Sequence, residues 1–192
     1  MTAVRRRASE GEASDAEILG AVARGDLDAL GALFDRYHGA VRSVVIHAGV
    51  TWADVDDAVQ DTFLRIASIA GRYDGRPSAR PWVLATAWRV AADRRRALRR
   101  FVMAVARFGA HAPGTLARTP EDESADAERW RSFARKVASL PEKMRAAYVL
   151  VEVQGVSCEE AAQALEIPVA TVWTRLHHAR KRMLDRAEGG ER

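Results

Sequence analysis

Apolar residues recur along most of this chain at the spacing of an α-helix. The stretch DLDALGALFDRYHGAVRSVVIHAGV, from Asp26 onward, sets Leu30, Leu33, Phe34, Tyr37, Val41, Val44 and Val45 at helical intervals. Gly49 ends that pattern, as a residue free to leave the right-handed region does at many helix C-termini. Thr51 and Asp54 form a box-like start for WADVDDAVQDTFLRIASIAGRY. On a wheel of 100° per residue, Val55, Val59, Phe63 and Ile66 stack into one buried stripe of that second helix. A loop, DGRPSARP (74–81), then leads into WVLATAWRVAADRRRALRRF. These patterns predict a helical domain of three or more helices over residues 20–102, preceded by a disordered tail, 1–19.

Residues 103–129 lose the periodicity and gather Gly, Pro and acid, which predicts a flexible acidic linker. Periodicity returns over residues 130–187, a second helical domain, with 188–192 as a tail. Within it, GVSCEEAAQALEIPVATVWTRLHHARKRML (155–184) writes two helices. Ser157 and Glu160 form a capping box for the first, and Ala161, Ala162 and Leu165 give it a slim apolar stripe. Pro168 cannot continue that helix but suits the start of the next. In the second helix Val172, Leu176, Ala179 and Met183 fall on one stripe. Thr174, His177, His178 and Lys181 lie opposite, with Trp173, Arg175, Arg180 and Arg182 on the flanks. A cationic, hydrogen-bonding outer face on the second of two helices suits a DNA major groove. An ordinary amphipathic helix with a solvated charged face produces the same wheel.

Composition supports an all-α fold. The chain has 192 residues and is 48% hydrophobic, enough for real cores. Val, Ile and Thr fall mostly inside helix-period patterns, and Asn, a common hairpin residue, is absent. Net charge is only +4, but its distribution is uneven. Six arginines lie within residues 89–100 against one acid, Asp93, whereas PEDESADAE (120–128) holds five acids and no base. Such asymmetry points to a polyanionic partner and an acidic spacer. The single cysteine, Cys158, rules out an internal disulfide and a thiolate metal cage. No apolar run approaches membrane-spanning length, and the Arg5-Arg6-Arg7 start lacks the apolar core of a signal peptide. The expectation is a cytoplasmic protein without membrane insertion.

Three constellations bear on function. On helix 54–69, Asp57, Gln60, Asp61 and Leu64 sit opposite the buried stripe. Acids alone would be a solvated surface, but an outward Leu among them favours a protein-docking patch. Trp82 and Trp88 border the arginine run, and aromatics beside cations fit single-stranded nucleic acid, though both rings, Trp88 above all, could instead be core. The histidines, at 38, 47, 111, 177 and 178, are scattered. His177 and His178 diverge by about 100° on a helix and make no chelating pair. There is no nucleophile elbow, phosphate loop or Ser/His/Asp order. The chain offers no catalytic residues, metal site, cofactor or small-molecule substrate.

With these residues in view, the chain resembles bacterial sigma factors of the sigma-70 class, in their extracytoplasmic-function (ECF) group. DAVQDTFLRI is similar to the family's core-polymerase-binding segment, PWVLATAWRVAADRRR to its promoter-melting and −10-reading segment. LPEKMRAAYVLVEVQGVSCEEAAQALEIPVATVWTRLHHARKRML is similar to its −35-binding domain. The resemblance implies that Asp57, Gln60, Asp61 and Leu64 grip core RNA polymerase at the β′ clamp, with the C-terminal domain on the β flap. It implies that Arg80, Trp82, Trp88, Arg89, Arg94, Arg95 and Arg96 melt and read the −10 element. It also implies that Thr171, Trp173, Thr174, Arg175, His177, His178 and Lys181 meet the −35 element, and that an anti-sigma factor is a partner. Two residues depart from the family pattern: Arg89 stands where Asn is usual, and Trp173 where Lys or Arg is common. A stand-alone helix-turn-helix regulator and a protein-binding helical adaptor are the competing readings.

Overall fold

Ser14 starts the first helix, earlier than the periodicity predicts. Its hydroxyl accepts from the Glu17 amide at 3.3 Å, and the Glu17 carboxylate accepts from the Ser14 amide at 2.8 Å. This capping box opens α1 (Asp15–Ala23), which buries Ile18, Leu19 and Val22. The computed structural model describes residues 13–76, 78–107 and 125–188. Residues 15–19 of the expected N-terminal tail are thus helical, while residues 1–12 lie outside the described chain. Asp15 then ties α1 to the rest. Its carboxylate accepts from the buried Tyr37 hydroxyl at 2.5 Å, from Arg36 at 2.7 Å and from the Ala79 amide at 3.3 Å. Burial and this acid hold the Tyr37 hydroxyl protonated well above its ordinary range. Asp15→Ala leaves that hydroxyl without its acceptor, and should cost about 1–3 kcal/mol. Urea unfolding checks this, and an unchanged midpoint would contradict it.

Asp26 caps α2 (Leu27–Ala48) by accepting from the Asp28 and Ala29 amides, each at 3.0 Å. Leu33, Tyr37, Val41, Val44 and Val45 are buried as the pattern requires, but Phe34 is 39% exposed. The helix ends at Gly49, whose φ of 83° is left-handed. A side chain there would also meet Ala138 and Arg145 at 3.3 Å, so this glycine is required twice over. After a 3-10 turn (Trp52–Asp54), α3 (Val55–Ile69) buries Val55, Val59, Phe63 and Ile66. The long α4 (Arg80–Arg107) crosses both α2 and α3. Every residue from Pro81 to Trp88 is buried, which no one-sided helix achieves.

The reason is the C-terminal half. Residues 103–107 of the expected linker extend α4, residues 125–129 begin α5 (Ala125–Ala138), and 108–124 lie outside the described chain. Helix α6 (Glu142–Tyr148) starts behind Pro141 and runs into a π-helical turn, Val149–Val153. Helices α7 (Cys158–Leu165) and α8 (Val169–Glu188) follow, the former opened by the predicted Ser157/Glu160 box. Helix α7 packs on α4 and α5 runs along α2, so the two halves share one continuous core. Among the described residues every regular element is helical.

At the seam lies Arg145 of α6, only 1% exposed. Its guanidinium donates to the Ala138 carbonyl and sits 5.7 Å over the Trp88 ring. The C-terminal end of α2 at Gly49 faces the same group. A carbonyl, an aromatic face and a helix C-terminus together receive this charge.

Candidate nucleic-acid and protein interfaces

The outward face of α3 is as the wheel predicts. Asp57 and Gln60 are exposed, and Leu64 is 58% exposed. Asp61 is engaged: its carboxylate accepts from Arg94 of α4 at 2.6 and 2.8 Å. Beside this face, α2 and α3 enclose an open apolar groove of about 470 Å³, lined by Leu27, Leu30, Phe34, Val59, Phe63 and Leu64 among others. Leu27 is 78% exposed. Exposed leucines and a phenylalanine on one patch, rimmed by Asp56 and Gln60, have the composition of a protein-binding surface.

A second, larger groove of about 920 Å³ runs between α3 and α4, with Arg65, Arg72, Arg76, Arg89 and Arg94 on its walls. The spacing explains it. Asp61, Arg65, Ser68 and Arg72 follow one face of α3 and its 3-10 extension, while Trp82, Thr86, Arg89 and Asp93 follow one face of α4. At its mouth, Arg76 clasps Asp74 through two bonds of 2.7 and 2.8 Å, and the Tyr73 hydroxyl donates to the Arg76 carbonyl at 2.6 Å. Five guanidinium groups line this groove together with Asp61, Asp93 and Glu166, a net positive wall of the kind that attracts a phosphate backbone.

The tryptophans are not open platforms. Trp82 is 9% exposed and meets Tyr73 edge-on with ring centroids 5.5 Å apart; Trp88 is 5% exposed beneath Arg145. Of the two readings left open by the sequence, this arrangement has both rings in the core, because the C-terminal half covers α4. The arginines are mostly occupied as well. Arg80 donates to the Gln154 carbonyl at 3.2 Å and its side-chain oxygen at 3.3 Å. Arg89 donates to the Ala164 carbonyl at 2.8 Å and to Glu166 at 2.9 Å. Arg96 bridges Asp93 and Glu142, each at 2.6 Å. Arg95 is half-buried, and its guanidinium is less basic than usual through burial and then the neighbouring Arg99.

Helix α8 divides as predicted. Val172, Leu176 and Ala179 are fully buried, with Met183 packed beside them. Thr174, His177, His178 and Lys181 are exposed, and Trp173 is 52% exposed on the flank. Thr171, Thr174, Arg175 and His178 line one open groove of about 630 Å³ with Lys143 and Met144 of α6. The exposed Thr174 hydroxyl donates to the Ala170 carbonyl at 2.9 Å. The His177 and His178 rings lie 5.6 Å apart at a steep angle and do not converge on a common point.

Known proteins share this layout in sequence. The Sigma-70 region 2 family matches residues 33–101, and the Sigma-70 region 4 family matches residues 130–183. The ECF RNA polymerase sigma factor SigM of Mycobacterium tuberculosis (strain ATCC 25618 / H37Rv) is 34% identical over 176 residues, 90% of this chain and 84% of that protein. The chain belongs to the ECF sigma factors. The ECF RNA polymerase sigma-E factor of Escherichia coli (strain K12) is 30% identical over 175 residues, 88% of this chain and 91% of that protein. Among solved structures, CnrH in complex with the cytosolic domain of CnrY has a TM-score of 0.68 at 22% identity, covering 91% of this chain and 97% of that one. RpoE of Bartonella quintana, in complex with the anti-sigma factor NepR, has a TM-score of 0.62 at 18% identity, covering 81% and 94%. Both share the fold.

For this sigma factor, sequence reasoning missed Leu27 and Phe34 beside Leu64, and Arg65, Arg72 and Arg76 in the α3–α4 groove. Arg65 and Arg72 are seven positions apart, two helical turns, and so share the face of Asp61. That spacing was a readable signal. Leu27 and Phe34 share the same interval on α2, outside the stripe that is buried.

Proposed function

We propose that this sigma factor joins core RNA polymerase through α3 and the apolar α2–α3 groove, holds the melted −10 strand in the arginine groove, and reads the −35 element with α8. The observation that carries this reading is α8 itself. Its buried Val172/Leu176/Ala179 stripe backs an exposed row of hydrogen-bonding and cationic side chains, the division a major-groove helix needs. Asp57, Gln60, Asp61 and Leu64 would meet the β′ clamp, and the C-terminal helices the β flap. Along the −10 strand, Arg89, Arg94, Arg95 and Arg96 join Arg65, Arg72 and Arg76 as phosphate partners. Stacking by Trp82 or Trp88 requires α4 to be uncovered first. The role calls for no catalytic residue, cofactor or metal, since the polymerase carries the chemistry, and it belongs in the cytoplasm. No helix among the described residues is long and apolar enough to cross a membrane. The solved relatives were captured with CnrY and with an anti-sigma factor, which supports a similar antagonist here.

Arg72 tests the groove from the wall opposite α4: it projects from the 3-10 extension of α3, on the face it shares with Arg65. In reconstituted holoenzyme, Arg72→Ala should weaken binding of a single-stranded −10 oligonucleotide and lower the salt slope by about 0.7. Fluorescence anisotropy over a salt series measures both. An unchanged slope would remove this groove from the path of the strand.

A further inference from the structure

Among the described residues, two of the five arginines on the α3–α4 groove are uncommitted. Arg76, Arg89 and Arg94 pair with Asp74, Glu166 and Asp61. Arg65 and Arg72 make no ion pair and no guanidinium hydrogen bond there. Between them on the same face stands Ser68, three positions after Arg65 and four before Arg72. Helical neighbours at those intervals have Cβ atoms about 5–6 Å apart. Ser68 is exposed, and its hydroxyl donates to the Arg65 carbonyl at 2.7 Å. It is the last residue but one of α3, just before the 3-10 turn Ala70–Arg72. The chain thus presents a reachable hydroxyl where a helix ends, flanked by two open guanidinium groups.

Charge decides what a modification there would do. Five guanidinium groups against the carboxylates of Asp61, Asp93 and Glu166 leave the groove a net charge of +2. A phosphoserine carries about −1.5 to −2 at neutral pH. One such group cancels nearly the whole excess. The C-terminal end of α3 opposes an anion, but a helix end carries only about half a unit charge. Two full cations beside the phosphate outweigh it. Arginine also meets phosphate with paired N–H donors, which holds the group on the protein rather than in solvent.

We infer that Ser68 is a phosphorylation site, with Arg65 and Arg72 as the receiving pair, and that its phosphate displaces the −10 strand. This rests on the reading of the α3–α4 groove as the −10 track. The step is a phosphoryl transfer from a nucleoside triphosphate. Ser68 Oγ attacks the γ-phosphorus, the bond to the β-phosphate oxygen breaks, and nucleoside diphosphate leaves. The hydroxyl proton passes to the carboxylate base of a serine kinase. An arginine three residues before the serine is the mark that arginine-directed kinases read. Ser9 and Ser132 share it, after Arg6 and Arg129. Spacing alone does not choose among the three. The arginines around Ser132 already have partners, whereas those around Ser68 do not.

The test has two arms. In the first, the full chain carrying Ser9→Ala and Ser132→Ala is incubated with ATP and calmodulin-dependent protein kinase, which reads an arginine at that interval. Tandem mass spectrometry should place one phosphate on Ser68, and Ser68→Ala should abolish its incorporation. In the second, phosphoserine is installed at position 68 during synthesis. By phosphorus NMR its second pKa should lie below the ordinary value of about 6, and return towards it with Arg65→Ala and Arg72→Ala. The modified chain should co-elute with core RNA polymerase as the wild type does. In that holoenzyme, binding of a single-stranded −10 oligonucleotide should weaken about tenfold or more. Its salt slope should fall by about 1.4, two contacts of about 0.7 each. No phosphate on Ser68 would overturn the site, and an unshifted pKa would overturn the receiving pair. Lost co-elution, or unchanged oligonucleotide affinity, would overturn the displacement. Failure of the unmodified holoenzyme to bind the oligonucleotide would instead overturn the −10 track, which the first arm and the NMR do not depend on.

Discussion

Asp61→Arg is expected to abolish co-elution of the chain with core RNA polymerase while its helical content survives. Asp61 lies on the face of α3 opposite the buried Val55/Val59/Phe63 stripe, so no core packing is lost. Its present partner is Arg94 at 2.6 Å, and the substitution sets two guanidinium groups side by side. Both side chains are partly solvated, 47% and 31% exposed, so that repulsion costs at most about 1 kcal/mol of stability. In a docked interface the same reversal costs several kcal/mol, enough to lower affinity by two orders of magnitude or more. Asp57→Arg, on the exposed part of the same face and away from Arg94, should act in the same direction. Size-exclusion chromatography with core polymerase, alongside circular dichroism of the free variants, separates docking from folding. If Asp61→Arg co-elutes like the wild type, this face is not the polymerase contact.

His178→Ala is expected to change which −35 bases are preferred, whereas Lys181→Ala should weaken all promoters alike. His178 lines the concave groove with Thr171, Thr174 and Arg175, while Lys181 lies outside it, one turn further along α8. Residues early in a recognition helix reach base edges, and later cations meet phosphate. Losing the His178 contact should cost about 1–3 kcal/mol on the best site. Losing Lys181 should lower the salt slope by about one ion. Trp173 is exposed on the flank; with α8 in the groove it could not make the bidentate guanine contact of an arginine and would pack on sugar or a thymine methyl. Selection from a promoter library randomised at −35, with each variant bound to core polymerase, reads these differences. Unchanged preferences for His178→Ala, Thr174→Ala and His177→Ala alike would mean that α8 does not read the groove.

What could be read from the chain followed a simple physical line. Stripes at helical spacing came out buried, Val55/Val59/Phe63/Ile66 and Val172/Leu176/Ala179 among them, because a one-sided helix must bury its apolar face. The Ser157/Glu160 box and the Gly49 stop act through residues only a few positions away, and both were legible. The Ser14/Glu17 box is equally local, but it stands in a charged stretch without apolar periodicity on its N-terminal side, so it reads as tail. Long-range pairing was not legible. A run of arginines reads as a surface for a polyanion, and nothing near Arg80, Arg89 or Arg96 in sequence announces Gln154, Glu166 or Glu142 as partners. The same cover buries Trp82 and Trp88, so their exposure depends on how two helical units meet and not on the pattern of α4. Phe34 illustrates the converse: its spacing is that of a core residue, but it lies at the edge where α2 and α3 diverge into a groove.

The most direct test of the account is run-off transcription by core RNA polymerase with and without this chain, on a template selected for its −35 and −10 elements. The account predicts a discrete transcript that appears only when the chain is present, disappears with either element altered, and is lost with Asp61→Arg. Absence of any chain-dependent start, together with tight binding of the chain alone to a palindromic duplex, would contradict it and identify a stand-alone regulator instead.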